Sequence, residues 1–389
     1  MANDLRITFV STYRVQCGIA TYTENLLHAL NKIDGVCCDV LARADTAADM
    51  ESSDPARYCW SAGSNDLIDA VRNCTLQSDV VHFQHEFGIF DRSNFFFSAI
   101  AAAKSNGCKV VVTLHTIHSF GAHFDAMFYT RLCTEVDAVV VHTEEGYVSV
   151  VAAASVDKTI DVSKIVYMPH GSPVIQDVGN REAGLEYLKL PTSYLDRTIG
   201  GAIGFIGEGK NLDCTLQKFL NGIMQGLIDY KKNVFIVAGD IPTEKSRYHL
   251  YLLDLIAKSG LDCFVLRRKF IARERLADVF ALLDYGILNT KAETLSASGQ
   301  AQEYIAHGVP LAVRVAPIYM DAIRAGALSF RIDSKANGDT EAVNTIAAFA
   351  NSPGLRRKVK RSFARYAAAT SWAVVASAYK NYYERLTGS

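Results

Sequence analysis

Short, almost continuously apolar runs alternate along this chain with longer stretches whose apolar residues recur at helical spacing. Runs at 6–10, 36–41, 80–83, 109–114, 138–142 and 165–168 carry few polar positions. Parallel strands covered by helices on both faces have this character. Helical patterns lie between them, for example at 21–32 and 94–106. A doubly wound α/β domain is predicted. The alternation breaks over 175–197, which is polar, helical at most in its middle and interrupted by Pro191. This stretch reads as a connection between domains. A second series follows, with strand runs at 198–206, 233–238, 262–266, 285–288, 311–315 and 329–332. The remainder is mostly helical, and Trp372, Tyr379, Tyr382 and Tyr383 lie along its final segment. The expected organisation is a Rossmann-like domain over 1–178, a second over 196–366, and a C-terminal helix over 367–389 that packs back on the first domain.

A length of 389 residues leaves room for two cores. Apolar residues make up 49% and charged residues 21%, with a formal net charge of -1, so nothing points to a nucleic-acid partner. No run of about twenty apolar residues occurs, and no transmembrane helix is expected. The first residues, MANDLRITFVSTY, read as a strand rather than a secretion signal. The nine cysteines show no CxxC spacing. Cys38, Cys108, Cys133 and Cys263 fall in strand or helix patterns, where cysteine acts as a small hydrophobe. A reducing, cytoplasmic setting is expected.

Candidate chemistry gathers at the carboxyl ends of the strand runs, where open α/β sheets place ligands. Cys17 to Ala20 form a turn of small residues opening a helix, with Thr21 or Thr23 as caps. The GxGxxG spacing is missing, so no dinucleotide fingerprint is present. Histidines follow at His82, His85, His115, His118, His123, His142 and His170, with Glu86 beside His85. Most are expected to face a cleft between the domains, whereas His82 alternates out of a buried strand and reads as a hydrogen-bonded core residue. Zinc is the competing reading of such clusters, but no HExxH occurs, and neither metal nor cofactor is expected. In the second half, Lys210 stands near a helix N-terminus after a glycine-rich turn, where an ammonium can neutralise a diphosphate. The small-residue loop 292–299 feeds another helix, whose free N–H groups suit an anion. Glu293, at its lip, can accept hydrogen bonds from sugar hydroxyls.

The segment ETLSASGQAQEYIAHGVP resembles the donor-binding segment of GT-B glycosyltransferases of the family-four type, over eighteen residues without a gap. Around Gly18, CGIA is similar to that family's entry loop. His115 in TLHTIH matches its strand-end histidine near the donor sugar. QHEFG places Gln84, His85, Glu86 and Gly88 on the acceptor side. GFIGEGKN resembles the family's Gly-Phe-(Ile/Leu)-Arg-x-x-Lys element, with Lys210 matching and Gly207 where the arginine is expected. Arg267, Arg268 or Lys269, or the amides of Gly207 and Gly209, are candidates to compensate. Ala301 stands where a second glutamate is usual. Glu303 lies about 200° around the helix from it and reads as an ion-pair residue.

The resemblance implies two Rossmann-like domains facing a cleft. It also implies transfer of a sugar, with retention and without metal, from a nucleoside diphosphate sugar to a carbohydrate, a lipid-linked glycan or a small molecule, as in polysaccharide biosynthesis. His115, Lys210 and Glu293 would be catalytic. Gly18, Gly207, Gly209, Lys210, Arg268, Glu293, Leu295, Ser296, Ala297, Ser298 and Gly299 would hold the donor. Two other classes remain open: a sugar-nucleotide epimerase, and a binding protein that kept the fold but lost the donor site. Finally, 355–363 mixes five basic residues with apolar ones. This stretch reads either as a peripheral contact with anionic lipid at the membrane inner face or as a solvated helix face.

Overall fold

In the structure, a computed structural model, residues 4–44, 56–90, 94–118, 126–155, 161–175, 177–241, 247–291, 294–331 and 337–388 are described, except for the side chains of 58 and 337–339. Their strands form two parallel sheets. The first contains β1 (Leu5–Ser11), β2 (Val36–Arg43), β3 (Ala56–Trp60), β4 (Val80–His85), β5 (Lys109–Leu114), β6 (Ala138–Val141) and β7 (Ile165–Tyr167), in the order β3-β2-β1-β4-β5-β6-β7. The second contains β8 (Thr198–Ile203), β9 (Asn233–Gly239), β10 (Phe264–Arg268), β11 (Tyr285–Leu288), β12 (Leu311–Arg314) and β13 (Leu328–Phe330), in the order β10-β9-β8-β11-β12-β13. The chain forms two compact units. The first takes in Met1–Gly171, Glu293–Gly299 and Thr370–Ser389, and the second Ser172–Ala292 and Gln300–Ala369.

The apolar runs become strands because both sheet faces are covered. Every residue of β4, β6, β9 and β11 is buried. In the first unit two apolar clusters lie on the sheet. One includes Val81, Phe83, Phe96, Phe128 and Ile117. The other joins Phe9 and Val40 to Tyr22 and Leu26 of the helix Gly18–Leu30, and to Trp372, Tyr379 and Tyr383 of the C-terminal helix Trp372–Thr387. That last helix therefore completes the first unit, burying its aromatic stripe there. His82 is fully buried and hydrogen-bonded at both ring nitrogens, to the Tyr383 hydroxyl at 2.6 Å and to Thr113 Oγ1 at 2.7 Å.

Three features depart from the sequence reading. β3 is an edge strand that its short, mixed segment gave no periodic signal for. Strand 138–142 stops at Val141, and the N–H of Met168 donates to its carbonyl at 3.0 Å. The segment 175–197 is built into the second unit instead of running free. Its helix Arg181–Tyr187 is capped by Asn180, whose side chain accepts from Ala183 N at 2.8 Å. Gly179 and Gly184 lie so close to the backbone of Ala277 and Asp278 that any Cβ would collide with it.

Candidate active site

In an open parallel sheet, ligands bind where neighbouring strands connect in opposite directions, beyond the carboxyl ends. In the first unit that point lies between β1 and β4. A cavity of about 610 Å³ opens there, walled by the turn after β1 (Thr12, Gln16, Cys17, Gly18), the turn after β4 (Glu86, Gly88), and His115, His142 and His170. In the second unit it lies between β8 and β11, where a smaller pocket is lined by Gly204, Phe205, Lys210, Asn289, Thr290 and Gln300.

The floor of the first cavity is organised around Tyr22. Its ring packs against His115, His142, His170 and Trp372 at centroid distances of 4.8, 4.9, 5.2 and 5.0 Å. The hydroxyl of Tyr22 pairs with that of Tyr379 at 3.0 Å. His115 follows β5, and its Nε2–H donates to Gln84 Oε1 at 2.8 Å. Burial first, and then the neighbouring histidines, hold its pKa well below the usual imidazole value. It is therefore a neutral ring with Nδ1 as its acceptor. Glu86 turns back on its own loop, accepting from Gly88 N at 2.5 Å and from Thr116 Oγ1 at 3.4 Å. Arg43 Nη1 donates to the Gly88 carbonyl at 3.2 Å. Carboxylate and guanidinium thus share one loop at the cavity rim.

Several residues singled out in the sequence sit elsewhere. His85 is fully buried among Phe87, Phe90, Phe96 and Phe128, with ring centroids at 5.0, 6.0, 4.8 and 5.1 Å. The pleat turns it away from the cavity that Glu86 lines. Thr21 and Thr23 do not cap the helix. Cys17 holds the cap position, while the two threonines bond back to the carbonyls of Cys17 and Ile19 at 3.2 and 2.8 Å. Gly18 opens the helix on the cavity wall.

The loop before the helix Gly299–Ala306 belongs to the first unit. Leu295 is buried in that unit's core, its N–H donating to Ile117 O at 2.8 Å and its carbonyl accepting from Thr143 Oγ1 at 2.8 Å. Gly146 makes this approach possible, since a Cβ there would press on Ile117, Thr143 and the Leu295 carbonyl. Ala297 and Gly299 line the cavity, and the buried Ser296 hydroxyl has no hydrogen-bond partner. Ser298 is also buried. Glu293 and His123 lie outside the described residues.

In the second unit, Lys210 ends a short turn before the helix Leu212–Met224. Its Nζ donates to Gln300 Oε1 at 2.9 Å, and Gln300 Nε2 donates to Ile203 O at 2.6 Å. Burial lowers the Lys210 pKa. A Cβ at Gly207 or Gly209 would meet nothing, so this backbone is open to approach. Of the three cations considered as replacements at Gly207, two are committed elsewhere. Arg267 donates to the carbonyls of Leu188 and Lys189 at 3.1 and 3.4 Å, and Lys269 to that of Tyr187 at 3.0 Å. Arg268 is exposed at the end of β10. Ala301 is buried, and Glu303 reaches His307 at 3.6 Å.

Sequence reasoning missed Tyr22, Arg43 and Gln300. The first two sit in ordinary helix and strand patterns, and Gln300 matters only through partners about ninety residues away. Among the described residues, no group of three or more His, Cys, Asp or Glu side chains is placed to hold a metal ion.

No protein-family model matches the sequence, and no curated protein matches it. Solved structures do match its shape. HepE from Anabaena, in complex with UDP and glucose, aligns with a TM-score of 0.72 at 12% identity, over 98% of this chain and 100% of that one. A glycosyltransferase from Rickettsia africae aligns at 0.70 and 13% identity, over 99% of both chains. Sucrose-phosphate synthase from Thermosynechococcus elongatus aligns at 0.69 and 13% identity, also over 99% of both. Likeness at these identities establishes the fold: two parallel-sheet α/β units of the GT-B class.

Proposed function

We propose that the protein is a glycosyltransferase moving a sugar from a nucleoside diphosphate sugar to a saccharide or lipid-linked acceptor, with retention and without metal. A uridine nucleotide is the first donor candidate, because HepE, similar in shape, binds UDP and UDP-glucose. The observation that carries this reading is Lys210, a half-buried cation oriented by Gln300 at the strand-order reversal of the second unit. A departing diphosphate needs its growing charge stabilised, and a pre-oriented ammonium does so without reorganisation. In this reading Lys210, the exposed Arg268, and the open backbone at Gly207 and Gly209 take the diphosphate. Gly18 and the loop 295–299 complete the donor contacts, with Glu293 on the sugar hydroxyls. His115 assists at the reacting carbon, and the loop bearing Glu86 and Gly88 takes the acceptor. No carboxylate pair of the hydrolase kind is assigned here, so no covalent glycosyl intermediate is invoked.

One observation favours a second reading, a binding protein without turnover. Gly207 leaves the usual arginine position empty, and Arg267 and Lys269 are spent on backbone carbonyls. A thermal-shift panel of nucleoside diphosphates and their sugars, followed by turnover with and without EDTA, tests both. Acceptor-dependent release of the nucleotide that survives EDTA supports the transferase. Nucleotide binding with no release under any acceptor supports the second reading. Loss of activity on chelation, restored by manganese or magnesium, would sink the metal-free mechanism.

The proposal extends to a peripheral contact with anionic lipid through the helix Pro353–Ala369. It contains no acidic residue, and Arg357, Lys358, Lys360, Arg361 and Arg365 are exposed. Val359 and Phe363 are buried, so the outer face offers charge alone.

A further inference from the structure

His142 follows β6 and lines the cavity of the first unit, 2% exposed. Its Nδ1 lies 2.9 Å from the Met168 carbonyl oxygen. A carbonyl only accepts, so Nδ1 carries the proton and Nε2 is a bare lone pair. That Nε2 is buried and has no hydrogen-bond partner. Buried acceptors are seldom left unpaired, because the lost hydrogen bonds to water are not recovered.

The Nδ1–H bond to the Met168 carbonyl accounts for one ring nitrogen, but the fold gives Nε2 no task. Thr143, not His142, caps the following helix, and the ring contacts of His142 with Tyr22, His115 and His170 at 4.9, 5.3 and 5.8 Å would suit a phenyl ring equally. Nor do the neighbours supply a proton. The Nε2–H of His115 goes to Gln84, Nδ1 of His170 faces the Gly171 carbonyl at 2.8 Å, and the Tyr22 hydroxyl pairs with Tyr379. Protonation of His142 itself is opposed, since burial and His170 lower its pKa to about 3.

We infer that His142 is a specificity residue that accepts a hydrogen bond from a hydroxyl of a neutral saccharide bound in this cavity. The inference rests on the transferase reading and narrows its substrate class. Glu86, also an acceptor, lines the same cavity, so a polyol can donate to both, whereas a carboxylate or phosphate oxygen at His142 would meet a lone pair.

The test uses the full chain with UDP present and D-glucose with its 2-, 3-, 4- and 6-deoxy analogues as probes. The wild type, His142→Phe and His142→Gln are titrated, with melting temperature as the folding control. Glucose should bind His142→Phe about tenfold more weakly, a size typical of one lost hydrogen bond. One deoxy analogue should bind the wild type as weakly and be indifferent to the substitution. On the wild type alone, the Nε2 resonance of His142 should move on adding glucose and stay still with that analogue, which keeps the test decisive if a variant misfolds. Equal glucose affinity in the wild type and a folded His142→Phe, an unmoved Nε2 resonance, or no binding by any of these sugars overturns the inference. UDP and the other nucleoside diphosphates, titrated alone, report separately on the transferase reading: nucleotide binding with a His142-indifferent sugar sinks only the inference, and no binding of any nucleoside diphosphate sinks the reading beneath it.

Discussion

The hydroxyls of Tyr22 and Tyr379 meet at 3.0 Å, joining the helix that walls the cavity to the C-terminal helix 357 residues later. Both rings are fully buried, and Tyr379 also reaches Thr113 Oγ1 at 3.5 Å, which in turn bonds His82. Tyr379→Phe strips the Tyr22 hydroxyl of its partner without changing the packed volume. Unfolding free energy should fall by about 1–3 kcal/mol in urea titration. The double variant with Tyr22→Phe should lose less than the sum of the two single changes. Strict additivity would show that the two hydroxyls are not coupled.

The buried histidines set the response to acid. Burial holds His82 and His142 at about 3, against an ordinary value of 6.5. Between these values the unfolded chain binds protons that the folded chain refuses, so stability falls as pH drops from 6.5 towards 3. Each such histidine contributes a slope of about 1.4 kcal/mol per pH unit in that window. Urea midpoints measured across it should show the fall, and His82→Gln should flatten the slope by about one proton's worth. An unchanged slope in a folded His82→Gln protein would mean that His82 titrates normally.

Lys210 and Gln300 should act as a unit. Lys210→Ala should cut turnover about 10²–10³-fold, the usual cost of one charge-stabilising group, with little change in melting temperature. Gln300→Leu frees the ammonium from its fixed geometry and should also lower kcat. Combined with Lys210→Ala, it should add little further loss. Activity of Lys210→Ala within a few-fold of wild type would remove Lys210 from the diphosphate.

Thr143 performs two tasks with one hydroxyl, accepting from Gly146 N at 3.1 Å as a helix cap and donating to Leu295 O at 2.8 Å. Thr143→Val should cost about 1–2 kcal/mol by loss of the cap and exposure of a buried carbonyl to no partner. Thr143→Ser should keep most of that stability. Chemical denaturation of both variants checks it, and equal losses would point to the methyl group instead.

Flotation with anionic vesicles checks the basic helix Pro353–Ala369. Association should appear at low salt, weaken at physiological salt, and be lost when Lys358, Lys360 and Arg361 are replaced by glutamate. No association at either salt would end the membrane proposal.

Periodicity is a local property, and what it encodes was readable in advance. The apolar runs around β5 and β11 matched the strands to the residue, because central strands buried on both faces are almost wholly apolar. The aromatic stripe of the last helix announced a buried face, and the expectation that this helix packs on the first domain agrees with where Trp372, Tyr379 and Tyr383 lie. Lys210, His115 and Glu86 stood out because strand ends of parallel sheets collect ligand-binding groups.

Contacts between residues distant in sequence were decided only by tertiary structure. Adjacent letters HE gave no reason to send His85 into an aromatic core and Glu86 to a cavity; the pleat and the rings of Phe96 and Phe128 did that. Leu295 looked like one residue of a donor loop, and became a core residue through Ile117 and Thr143, more than 150 residues earlier. Lys210 acquired its orientation from Gln300, and His142 its acceptor nitrogen from the carbonyl of Met168. A residue's type sets which hydrogen bonds it can make, but the direction of each lone pair and proton is settled only when the folded chain brings the partner to it.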